Sequence, residues 1–174
     1  MADCVNALKE WTGKTRATKI YDSTVDEFTN HCLFDKVKGK PNIAVVGFTT
    51  DGDVFGEFHS VAVTEQDKEF FDPSIFDFSF ESHGRCMKTQ RFLVKKLKKK
   101  ALVQFCKNYS SGFVAFGVDN AGGFFLGNED SDSYCWVVSD AFEGLEDTTL
   151  TGKSGRFLEG PYHHCARLVA IQLE

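Results

Sequence analysis

Ile43-Ala44-Val45-Val46-Gly47-Phe48-Thr49-Thr50-Asp51-Gly52-Asp53-Val54-Phe55-Gly56-Glu57-Phe58 holds two apolar runs around an Asp-Gly pair. β-Branched and aromatic residues suit a pleated surface, and Asp-Gly suits the left-handed angles of a type I′ turn. The stretch predicts a β-hairpin. Downstream, Asp72-Pro73 opens a segment in which Ile75, Phe76, Phe78 and Phe80 alternate with Asp77 and Ser79. That alternation predicts a strand with a buried Phe face and with Asp77 and Ser79 exposed.

Further short runs follow the same logic. Phe92-Leu93-Val94 and Ala101-Leu102-Val103-Gln104-Phe105 read as two strands joined by a basic turn, although Leu93, Leu97 and Ala101 are also spaced for one helix. Gly112–Val118, Gly123–Gly127 and Cys135–Val138 are three more strands. In the last run, Ala166–Leu173, apolar residues lie on both faces, which places that strand centrally.

Upstream, Thr24-Val25-Asp26-Glu27 has capping-box spacing, with Val25, Phe28 and Cys32 on one helical face. A helix is expected from there to about Phe34, before Lys38-Gly39-Lys40-Pro41 turns the chain. Residues 1–22 read as an N-terminal arm or short helix, and 23–174 as the domain proper. Many short strands with few helices give the fold class: α+β, a sandwich of two antiparallel β-sheets with short flanking helices.

Composition agrees with a packed domain. The 174 residues include eighteen Phe, whose rings bury much apolar area, and only three Pro. The N-terminus lacks a basic patch followed by an apolar run, and no apolar stretch is long enough to span a bilayer. A cytoplasmic or nuclear protein without membrane insertion is expected. The cysteines at 4, 32, 86, 106, 135 and 165 are far apart and are expected to be free thiols.

Charge is strongly segregated. Arg85, Lys88, Arg91, Lys95, Lys96, Lys98, Lys99, Lys100 and Lys107 fall in one stretch without Asp or Glu. Residues 108–152 then carry eight acids and no Lys or Arg. Either the two segments neutralise each other, or the basic one meets phosphates or an acidic protein surface.

The order of these segments resembles the TLDc family over roughly residues 24–174. Thr49–Phe58 is similar to its DG-x-VFGG/A hairpin, and Asp72–Phe80 to its D-P-x-A-F-I-F-S-L strand. Ala115-Phe116-Gly117-Val118 with Phe124-Phe125-Leu126 resembles the glycine-flanked pair that follows. The resemblance implies a two-sheet sandwich and a role in protection against oxidative stress. For some members it also implies binding to the proton-pumping vacuolar ATPase. It brings no catalytic residues. The Lys95–Lys100 run lies outside the pattern, and the region before the domain is short for the family.

Few residues suggest chemistry. Gly13-Lys14-Thr15 and Gly152-Lys153-Ser154 lack the upstream glycine of a phosphate loop and read as turns. His31-Cys32 and His163-His164-Cys165 are adjacent residues that point apart, which disfavours zinc; no metal or cofactor is expected. Asn128–Ser133 lacks the spacing of a calcium loop. Cys86 sits among Arg85, Lys88 and Arg91, where positive charge favours the thiolate, so it is the redox candidate. Arg85, Lys88, Arg91, Lys95, Lys96, Lys98, Lys99 and Lys100 are the candidates for nucleic-acid or anion binding. Three functions follow in order: a non-enzymatic domain with a protein partner, a redox-responsive nucleic-acid-binding regulator, and an enzyme with a Cys or His centre.

Overall fold

A computed structural model describes residues 2–86, 89–96, 100–107, 113–118, 122–127, 133–153 and 163–174. The hairpin forms as expected, from β2 (Ile43–Thr49) and β3 (Val54–His59), but its turn differs. Of the Asp-Gly pair only Gly52 has a positive φ, at 92°, so the turn is not type I′. Thr49 Oγ1 accepts the Asp53 N–H at 3.0 Å, and this side-chain bond sets a longer loop.

Around the hairpin grows a six-stranded antiparallel sheet. It adds β1 (Ala17–Asp22), β5 (Phe76–Glu81), β6 (Gln90–Leu93) and β11 (Cys165–Leu173), in the order β1-β11-β2-β3-β5-β6. The second sheet contains β4 (Phe70–Phe71), β7 (Ala101–Phe105), β8 (Val114–Val118), β9 (Gly122–Leu126) and β10 (Tyr134–Trp136), ordered β10-β9-β8-β7-β4. The fold is therefore the expected α+β sandwich of two antiparallel sheets. β11 lies between β1 and β2, the central place that its two apolar faces required.

Two cores result. Between the sheets pack Ile43, Val45, Phe55, Phe92, Phe105, Phe116, Phe124, Leu168 and Ala170. On the outer face of the larger sheet lie Ala44, Val46, Phe58, Phe76, Phe78, Val169 and Ile171, with Leu8 among them. Leu8 belongs to α1 (Ala2–Thr12), whose Trp11 ring meets Phe76 edge-on at 6.0 Å and stacks with Phe80 at 6.2 Å. Strand β5 is thus covered on both sides. The expectation that Asp77 and Ser79 are exposed is overturned: Asp77 is 0% and Ser79 1% exposed. The Phe face lies under α1, and the polar face points between the sheets.

The upstream helix also starts later than its spacing suggested. α2 spans Asn30–Val37 and is capped by Thr29, whose side chain accepts the Cys32 N–H at 3.2 Å. Thr24 instead bonds Asp22 Oδ1 through its N–H and hydroxyl, at 3.2 and 2.8 Å. Val25, which the spacing groups with Phe28 and Cys32, is 81% exposed. Phe28 is correctly placed inward, edge-on to Phe113 at 5.4 Å.

The short helix α3 (Val138–Ala141) follows Val137, which sits at φ 43° and ψ 36°. A β-branched residue is strained in that left-handed region. Asn tolerates it, so Val137→Asn is expected to raise stability by about 1 kcal/mol in urea unfolding.

Candidate functional site

Two places hold the polar chemistry of the molecule. The first is the basic stretch. β6 is an edge of the larger sheet and β7 belongs to the smaller one, so the intervening residues cross between sheets. The two strands expected there form, but in different sheets. Charged side chains beside an edge strand oppose pairing with a second chain.

The described basic side chains are engaged in different ways. Arg85 pairs with Asp53, and donates from Nε to Thr149 O at 3.1 Å and from Nη2 to Leu150 O at 3.2 Å. Arg91 donates from Nη1 to Trp11 O at 2.8 Å and lies over the Phe76 ring. Lys95 Nζ donates to Ser139 O at 2.5 Å, holding the crossover against α3. Lys96 and Lys100 are exposed, with Lys100 over the ring of Phe71. Lys88, Lys98 and Lys99 lie outside the described residues, as does most of the acidic Asn128–Ser133 stretch. Cys86 is half-buried against the inter-sheet core, and its N–H donates to Ser82 Oγ at 2.6 Å.

None of the six thiols is bridged. Burial pushes Cys106 up to about 11 and Cys165 up to about 12, and it raises Cys135 well above the ordinary thiol value. These three behave as small apolar side chains. Cys32 is only half-buried. His31 pairs with Asp35 at 3.3 Å on the surface of α2, and His163 is buried. Among the described residues no three His, Cys, Asp or Glu side chains are grouped to hold a metal ion.

The second place was not foreseen. Glu57 and His59 on β3, and Asp77 and Ser79 on β5, are all buried between the sheets. His59 Nδ1 lies 3.4 Å from Glu57 Oε2, and its ring sits near Phe105 and Phe116 of the opposite sheet. Burial, followed by the charges of Asp77 and Asp72, pushes Glu57 well above the carboxylate range. Burial does the same to Asp77, and it pushes His59 down to about 4. The signal available in sequence was the unbroken run of buried-type neighbours on either side of each acid.

Asp72, at the turn before β5, behaves differently. Burial opposes its charge, but N–H groups of Ser60, Val61 and Ser74 and the Ser60 hydroxyl together outweigh it and hold it below the usual range. The open face of the smaller sheet carries a depression of about 220 Å³ lined by Glu69, Leu102, Gln104, Phe125 and Trp136, among others. Its floor is made of small residues, Ala115 and Gly117.

Among the described residues no helix is long and apolar enough to cross a membrane. No curated protein matches the chain. A model of the TLDc domain matches residues 3–158, a span that takes in α1 and β1 as well as the hairpin and the Phe strand. On that match over most of its length, and on the two-sheet sandwich it folds into, this chain belongs to the TLDc domain family.

Proposed function

We propose that this chain is a non-enzymatic TLDc interaction domain of the oxidative-stress response, acting through a protein partner, with the vacuolar ATPase the first partner to test. Family membership carries the reading. The disposition of the polar groups supports it. Glu57, Asp77 and His59 have the shifted acidity expected of catalytic groups, yet they are sealed between two sheets, where a substrate has no approach. Arg85 at the surface is committed to Asp53 and two carbonyls.

A second reading, a redox-responsive nucleic-acid-binding regulator, rests on Lys96 and Lys100, exposed on the crossover. Lysine contacts to phosphates are salt-sensitive, which separates the two. The purified protein is titrated with mixed duplex DNA across a salt series, with and without peroxide, and separately with purified vacuolar ATPase. The first reading expects no saturable DNA binding at low salt. It also expects ATPase binding that survives charge reversal at Lys95, Lys96, Lys98, Lys99 and Lys100. DNA binding that falls with salt and is lost in the charge-reversed variant would establish the regulator instead. A peroxide effect abolished by Cys86→Ser would assign the redox response to that thiol.

A further inference from the structure

Glu57 and Asp77 stand directly opposite each other across the β3–β5 ladder. Both are 0% exposed. Glu57 Oε1 and both carboxyl oxygens of Asp77 have no hydrogen-bond partner among the described residues, and neither has Ser79 Oγ beside them. Among those residues neither carboxyl has a Lys or Arg within ion-pair distance, and His59 Nδ1 lies 3.4 Å from Glu57 Oε2. Two carboxylates cannot be stable side by side in such a place, because burial and mutual repulsion both oppose ionisation.

We propose that Glu57 and Asp77 form a proton-binding site between the two sheets: the fold holds a proton on each, and surrendering them loosens the packing of β3 and β5 on the smaller sheet. The other titratable groups facing the site are few. His59 is held neutral by burial, Asp72 is held ionised by its hydrogen bonds, and Cys135 on the opposite sheet is kept as a thiol chiefly by burial.

The direction of the pH effect follows from linkage. Each acid has a folded-state value raised above the unfolded value of about 4, so its contribution to stability is whole below about pH 4 and is lost as pH rises through the folded value. His59 and His163 act oppositely. Both are pushed down to about 4, so their contribution is present above about pH 6.5 and lost as pH falls. The two acids and two histidines cancel between about pH 4 and 6.5. Above that, the acids act alone until the unfolded thiols ionise near about pH 8.5.

The test is denaturant unfolding at several pH values between about 6.5 and 8, combined with infrared spectra of the folded protein. While both protons are held, the unfolding constant rises roughly a hundredfold per pH unit, and about tenfold once only one remains. Glu57→Gln with Asp77→Asn removes the rise, and each single variant removes part of it. The wild-type spectrum at neutral pH contains the carbonyl stretch of a protonated carboxylic acid, and each variant loses its share. A double variant that keeps the pH slope, or a folded wild type without that band, would overturn the proposal. If the double variant does not fold, the wild-type band and its disappearance at higher pH decide alone.

Discussion

Replacing Gly56 by alanine is expected to remove most or all of the stability of this protein. Gly56 is a central residue of β3, paired with Val46 on one side and Phe78 on the other. A Cβ added there would overlap the carbonyl oxygen of Val45 and press on Phe78 Cζ at 2.9 Å. A phenyl ring can turn aside, but a carbonyl oxygen in a ladder cannot. Strand β3 would have to move away from β2, and the ladder joining them would break. Overpacking against a side chain costs roughly 1–3 kcal/mol, and a clash with backbone costs more. A loss of at least about 4 kcal/mol is a large part of the total stability of an ordinary domain. Urea unfolding, or failure to recover soluble protein, reads the effect. Gly39→Ala is the control. Gly39 has φ 72° with nothing within 4 Å of its Cβ position, so alanine there costs only the left-handed strain, about 1 kcal/mol. Equal losses in the two variants would refute the steric argument.

How far the sequence led is clearest at β5. Period-two alternation tells which residues share a face, and it grouped Phe76, Phe78 and Phe80 correctly. It does not tell what covers each face. With residues 1–22 readable as either an arm or a helix, alternation alone offers one core for the apolar side and leaves Asp77 and Ser79 to solvent. In fact Leu8 and Trp11 cover the phenylalanines, and the smaller sheet covers the acids. The late start of α2 has a similar origin. The Thr24–Glu27 spacing is a local signal, but Thr24 is captured by Asp22. Asp22 is itself fixed by Arg167, which donates to it from Nε at 2.9 Å and Nη2 at 2.6 Å. That contact joins residues 145 positions apart, and local patterning does not contain it. The hairpin and the two-faced last strand were legible because their reading needed only near neighbours.

Arg85 poses the same problem for function, and its replacement carries the second large effect. By sequence it heads a basic cluster suited to anions. In the fold it ties three loops together: the hairpin end at Asp53, its own turn after Ser82, and the Thr149–Leu150 turn. His83 Nε2 lies 2.9 Å from the Asp51 carbonyl oxygen at the same place, and Lys153 pairs with Asp51 at 2.6 Å. The Asp53 carboxylate is 2% exposed, against 27% for Arg85. Removing the arginine therefore leaves a buried carboxylate with only the His83 ring, 3.7 Å away, whereas removing the aspartate frees a cation that can reach water. Breaking a buried pair from the stranded side costs roughly 3–5 kcal/mol, and the partial exposure of Arg85 places Arg85→Ala near the lower end, about 3 kcal/mol. Asp53→Ala should cost less. Arg85→Lys should recover only part of the loss, since an ammonium does not reproduce the planar fork that reaches Asp53 and both carbonyls. The adjacent Cys86 gives a second readout, because opening this turn exposes its thiol and speeds alkylation. The consequence for function is specific. An anion at Arg85 would have to displace Asp53 and two carbonyls, so any loss of DNA binding in Arg85→Ala should track its unfolding. Charge reversal at Lys96, exposed on the surface, is the comparison, and a loss of binding there, at unchanged stability, would be a true contact effect. If Arg85→Ala instead unfolds like the wild type yet loses DNA binding, Arg85 is an anion ligand and the structural assignment fails.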